Sequence, residues 1–182
     1  MVYGLNIVRG LVAAARIDGL TGLSNRRYML ESLNKEVLRA QRHGLQFSIV
    51  FLDVDNFRRV NNVLGHIQGD TVLECVSKII TSTIRGSDIA SRWGGDEFVV
   101  LLAGTAREGA KAFSDRFLER LNRAIHQLEM PFEIAVSSGT STYPEDGVTG
   151  ESLLKVADYR MYQVKRARTA SLKRSSLHLR RP

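Results

Sequence analysis

The sequence predicts an α+β domain in which helices pack on a mixed β-sheet, and three observations lead there. The run QFSIVFLD, ending at Asp53, is almost continuously apolar, the composition of a strand covered on both faces. The β-rich runs IASRW and EFVVLL are separated by Gly94, Gly95 and Asp96 and read as a hairpin, because glycine tolerates the positive φ of tight turns. Helical segments are interleaved with these strands, but a hairpin among them argues against an all-parallel sheet.

Taken in chain order, Leu5, Val8, Val12 and Ala15 follow a three-then-four spacing and form one stripe of an N-terminal helix over residues 1–16. That stripe suits either the end of a dimerising signalling helix or a short helix packed on its own domain. The glycines of IDGLTGLSNRR break the pattern, and Asn25 is placed to cap a helix running to about His43. After the buried strand comes a short helix from Asn56 to Leu64, and then a break at Gly65-His66. A helix follows over Thr71 to Ile84, with Val72, Cys75, Val76, Ile79 and Ile80 on one side. Beyond the hairpin, Phe113, Phe117, Leu121 and Ile125 mark a helix from Ala106 to Leu128. FEIAVSSGTSTY is a further strand, Tyr143 to Gly150 a loop, and Ser152 to about Ala167 a last amphipathic helix. The main domain therefore spans residues 17–170, with residues 171–182 expected to be a basic, disordered tail.

A chain of 182 residues that is 43% hydrophobic has the size of one domain with short appendages. Its net charge of +7 invites a nucleic-acid partner, but the distribution excludes one. Eight Lys and Arg lie after Tyr159 with no acid among them; removing those eight from the total of 26 leaves 18 bases against 19 acids. The excess thus belongs to the C-terminal helix and tail, which read as a solvated end. Cys75 is the single cysteine, so no intramolecular disulfide forms. No apolar run is long enough to cross a bilayer, so the chain should be soluble, and the lone cysteine points to a reducing compartment, making the expected location cytoplasmic.

Acidic residues at the ends of buried strands carry the chemistry. Asp53 closes one strand and Asp96-Glu97 sit at the hairpin turn, so neighbouring strands would bring them to one rim. Converging carboxylates repel unless a cation lies between them, and magnesium takes hard oxygen ligands together with substrate phosphates. Singly, each has a plainer explanation: Asp55 could cap the next helix, and Asp96 could be an ordinary turn residue. Together they point to a nucleotide-phosphate site.

The string RWGGDEFVVLL contains Gly94-Gly95-Asp96-Glu97-Phe98, the motif of the GGDEF family of diguanylate cyclases. FLDVDNFRRVNNVLGHIQGD resembles the family's nucleotide-binding segment, IDGLTGLSNRR its entry signature and VADYRMYQVK its last helix. The resemblance covers roughly Asp18 to Arg168. It implies a central, mostly antiparallel mixed sheet surrounded by helices, related to the palm of nucleotidyl cyclases and polymerases. It further implies a metal site formed by the carboxylates of Asp53 and Asp96 and the carbonyl of Val54, holding Mg2+ with Mn2+ as an alternative. Asp96 would also help activate the ribose 3'-hydroxyl, with Glu97 an additional ligand or neighbour. Asn61, His66 and Asp70 match the guanine pocket; a carboxylate accepts from both N1–H and the exocyclic amine of guanine, so Asp70 argues for GTP over ATP. Arg58 and Lys165 match phosphate-neutralising positions, and Gly94 and Gly95 would admit the nucleotide to the backbone.

By the same resemblance the active species is a homodimer that joins two GTP into cyclic di-GMP and pyrophosphate. Arg85 and Asp88 match the family's RxxD inhibitory site, which makes cyclic di-GMP an expected inhibitor as well as the product. Two departures stand out. Arg58 replaces the more common lysine, and after Lys165 the sequence reads RARTA where the family often has Gly-Arg-Asn. The second phosphate cation is therefore in question, with Arg168 a displaced substitute. The rival reading is a catalytically silent module that only binds cyclic di-GMP through Arg85 and Asp88.

Overall fold

The computed structural model describes residues 16–178. The N-terminal stripe from Leu5 to Ala15 lies outside the described residues. Ten elements follow in order: β1 (Ser24–Asn25), α1 (Arg26–His43), β2 (Phe47–Val54), α2 (Phe57–Leu64), α3 (His66–Thr83), β3 (Ile89–Gly94), β4 (Glu97–Leu102), α4 (Arg107–His126), β5 (Val136–Tyr143) and α5 (Gly150–His178). The strands form one sheet of order β1-β3-β4-β2-β5, antiparallel throughout except for the short parallel pair β1 and β3.

Every residue of β2 is buried, and the alternation of its side chains explains the unbroken apolar run. Val50, Leu52 and Val54 face one core with Val72, Val76 and Ile80 of α3 and Phe113, Phe117 and Leu121 of α4. Phe47, Ile49 and Phe51 face a second core with Met29 and Leu33 of α1 and Leu153, Ala157 and Met161 of α5. Helices therefore cover both faces, which is why neither face of the strand is polar. Asp53 has the parity of Phe51 and so projects toward the α1 and α5 side.

Local signals set most boundaries. Asn25 caps α1 as expected, its side chain accepting from the Tyr28 N–H at 3.0 Å. Gly65 closes α2, its N–H donating to the Asn61 carbonyl, and α3 begins directly after it at His66, ahead of the expected Thr71. Strand β5 starts at Val136, later than the expected Phe132. The last helix runs past Ala167 to His178, so residues 171–178, expected as disordered tail, continue α5. Cys75 is free and half-buried on α3. No helix among the described residues is long and apolar enough to cross a membrane.

Candidate active site

Strands β2 and β4 pair in register so that Asp53 lies directly opposite Glu97. Opposed residues of an antiparallel pair project to the same face, so the two carboxylates share the rim on the α5 side. Gly94 pairs with Glu97 across the hairpin, leaving Gly95 and Asp96 as a two-residue turn. Gly95 has φ +53°, a left-handed conformation that disfavours side chains, so glycine meets a backbone requirement there. The turn is tied down on both sides: the Val54 N–H donates to the Asp96 carbonyl at 3.2 Å, and Arg92 Nε donates to the Gly95 carbonyl at 2.9 Å. Arg92 also pairs with Asp18, linking the hairpin to the entry segment.

Lys165 reaches this rim from α5, its Nζ donating to Asp53 Oδ1 at 2.5 Å. Asp53 is only 7% exposed. Burial lifts its pKa above the usual carboxylate range; Lys165 pulls the other way, but Asp96 and Asp55 add to the rise. Glu97 is also raised, by burial first and then by the charges of Asp53, Asp96 and Asp158. For Lys165 burial pulls downward, yet the bond to Asp53 and the surrounding acids win and hold the ammonium charged. The rim thus carries more negative charge than one lysine balances.

The oxygens that a hard cation would meet at this rim are those of Asp53, Asp96 and Glu97, whose charges act on one another. Among the described residues no three His, Cys, Asp or Glu side chains form a cage for an ion on their own. An all-oxygen set of this size fits magnesium or manganese in the manner of sites that complete their shell with substrate phosphates and water.

The expected base and phosphate residues lie on the neighbouring pair of helices. Arg58 and Asn61 are three apart on α2, and His66 and Asp70 four apart on α3, so each pair shares a helix face. Arg58, His66 and Asp70 are exposed. The Oδ1 of Asn61 is the one buried side-chain oxygen or nitrogen among the described residues without a hydrogen-bond partner, and it packs against Gly69 between α2 and α3.

Arg85 and Asp88 lie apart from the rim, at the far end of β3, which puts about 20 Å of strand between them and the turn. Arg85 is exposed. The carboxylate of Asp88 accepts from the Arg85 N–H at 2.8 Å and the Ala103 N–H at 3.2 Å, holding together the turn that leads into β3.

Two residues, Asp55 and Arg168, gain a definite place that the sequence left open. Asp55 does not cap a helix: it is buried, accepting from the Ser137 hydroxyl at 2.7 Å and from Arg168 Nη1 at 2.8 Å, while Asn56 holds the cap position of α2. The position of Asp55 two residues after Asp53 was the available signal, since the extended chain just past β2 sends both to the α5 side.

An α+β sandwich with an acidic rim at one end of its central strands is the class that this geometry defines. A family model described as "Diguanylate cyclase, GGDEF domain" matches residues 15–171, and the chain belongs to that family. It is 38% identical over 158 residues to diguanylate cyclase DgcP of Pseudomonas aeruginosa, covering 84% of this chain and 23% of that protein. It is 38% identical over 151 residues to the cyclic di-GMP phosphodiesterase NbdA of the same organism, covering 83% of this chain and 19% of that protein. The chain therefore spans about a quarter or less of these relatives. The GGDEF domain of DgcB from Caulobacter crescentus, solved in complex with c-di-GMP, superposes with a TM-score of 0.78 at 27% identity, covering 84% of this chain and 91% of that one.

Proposed function

We propose that this domain is a diguanylate cyclase half-site that binds one GTP and, facing a second copy, condenses two GTP into cyclic di-GMP. The observation that carries this reading is the meeting of Asp53, Asp96 and Glu97 at one rim with Lys165 over it.

Guanine is recognised by acceptors. Asp70 takes the N1–H and the exocyclic amine, with Asn61 and His66 of the same helix pair shaping the pocket; adenine lacks the N1–H. Lys165 and Arg58 screen the triphosphate. Asp53, Asp96 and the Val54 carbonyl would hold a divalent ion, which would supply charge neutralisation at the phosphates. Asp96 accepts the proton as the ribose 3'-oxygen forms its bond to the α-phosphorus of the facing nucleotide. The bond from that phosphorus to the bridging oxygen breaks, and pyrophosphate leaves with the electron pair. The same step in the opposite direction closes the ring, so one half-site alone makes no product, and holding both nucleotides in line supplies much of the rate.

Product feedback is the second part of the proposal. Arg85 is exposed and can fork onto a guanine edge or phosphate. That the DgcB GGDEF domain was solved in complex with c-di-GMP supports binding of the product by a domain of this fold. Arg85→Ala should leave turnover uninhibited by added cyclic di-GMP; unchanged inhibition would refute the assignment.

Incubation with GTP and Mg2+, followed by chromatography, should yield cyclic di-GMP, and Asp96→Ala should yield none while keeping its fold. A wild type that binds cyclic di-GMP yet makes none would favour the receptor reading.

A further inference from the structure

Two aspartates and two cations form a ladder between the end of β2 and α5. Asp53 and Asp55 are two residues apart and project to one side; Lys165 and Arg168 are three apart and share a helix face. Lys165 meets Asp53, and Arg168 Nη1 donates both to Asp55 Oδ2 at 2.8 Å and to the Val136 carbonyl at 3.1 Å. Asp55 is itself fixed. Its carboxylate accepts from Ser137 Oγ at 2.7 and 3.0 Å, and its N–H donates to the Ala135 carbonyl at 2.8 Å.

Upstream, α5 is seated by two other contacts. Gly139 of β5 lies so close beneath it that a Cβ would strike the Met161 nitrogen and the Ala157 carbonyl. Arg160 donates to the Thr140 carbonyl at 2.8 Å and to both carboxylate oxygens of Asp146. Lys165 therefore lies on the stretch of helix between the Arg160 seat and the Arg168 seat.

We infer that Arg168 is a positioning residue. It clamps α5 onto Asp55 and Val136 and so sets the reach of Lys165 over the rim, instead of neutralising the triphosphate itself. Its Nη1 is committed to two acceptors, and turning it toward phosphate would leave a buried carboxylate with only the Ser137 hydroxyl. Lys165 has four rotatable side-chain bonds, so its ammonium is placed only as well as its helix is. The inference rests on Lys165 contacting the nucleotide, as in the proposed function.

The test is a double-mutant cycle read by calorimetry, titrating α,β-methylene GTP with Mg2+ into the full chain. Arg168→Ala should weaken binding about fivefold to tenfold in the wild-type background and less than about twofold in Lys165→Met, because its effect passes through the lysine. Arg168→Lys should restore binding to within about threefold, since it keeps the pair with Asp55. Equal losses in both backgrounds, or no loss in either, would overturn the inference. Hydrogen exchange in the nucleotide-free protein supplies a separate readout. Amides 164–171 should exchange faster in Arg168→Ala but not in Lys165→Met, and unchanged exchange in Arg168→Ala overturns the clamp. Should Arg168→Ala fail to fold, Asp55→Asn carries the same cycle and the same exchange measurement. A folded wild type that does not bind the analogue contradicts the site reading, and the exchange result then decides the clamp by itself.

Discussion

Glu97 is the residue at which function and stability pull apart. Its folded pKa lies above its unfolded value, so its contribution to stability is complete below the unfolded pKa of about 4.3 and is lost as pH rises through the folded one. At neutral pH the ionised side chain therefore costs stability. Glu97→Gln should raise the melting temperature of the nucleotide-free domain by on the order of 2 °C at pH 7 and remove that pH dependence; a lower melting temperature would contradict the charge-crowded rim. Asp53 shows the same direction, but replacing it also strips Lys165 of its partner, so Glu97 is the cleaner probe. The sequence made Asp53, Asp96 and Glu97 legible because acids at the end of an apolar run conflict with burial unless they have a task. It did not settle the partners of Asp55 and Arg168, which lie 113 positions apart and meet only once α5 is laid across β5. It also gave no hint that Asp88 spends its carboxylate on two backbone N–H groups, because such bonds depend on how a turn closes.

Elements were legible where a local rule decides them. The Asn25 cap, the continuous run of β2 and the two-glycine hairpin each state their structure within a few residues. Boundaries failed where the rule was absent. The HIQGD stretch has no apolar stripe to announce α3, yet Gly65 reorients the chain and the helix starts at once. The apolar stripe of α5 ends near Ala167, but no Gly or Pro follows before Pro182 to stop it. Strand β1, two residues paired with β3, is held also by a local bridge from Ser24 to Ile17, and neither pairing has a sequence signal. Seating of α5 also yields a stability prediction. Asp146 accepts from Arg160, Arg107 and the Thr142 N–H, and its carboxylate is held well below the usual range, with the Arg160 bond the largest cause. That stability is present above the unfolded pKa of about 3.9 and is lost as pH falls toward the folded value. Because both arginines are partly exposed, Asp146→Ala should cost about 2 kcal/mol at pH 7. The difference from wild type should shrink as pH is lowered from about 5 to 2, and a gap constant over that range would contradict the assignment.

At the scale of the whole molecule, half of the basic excess, Lys173, Arg174, Arg180 and Arg181, lies beyond the part of α5 that the core and the rim use, and this separates catalysis from that charge. A chain ending at Ala170 keeps Lys165, Arg168 and every described core contact of α5. It should form cyclic di-GMP within about twofold of the full chain, whereas a tail that held the partner or the nucleotide would cost far more. The fold places one acidic rim in each copy, so the account requires two copies to complete a reaction that neither completes alone. The most direct test follows cyclic di-GMP and pyrophosphate together, with GTP and Mg2+, across a wide range of protein concentration. The account predicts two pyrophosphates for each cyclic dinucleotide, a rate per chain that climbs with concentration, and no product from Asp96→Ala. A wild type that makes neither product at any concentration, or an Asp96→Ala variant that keeps pace with it, would contradict it.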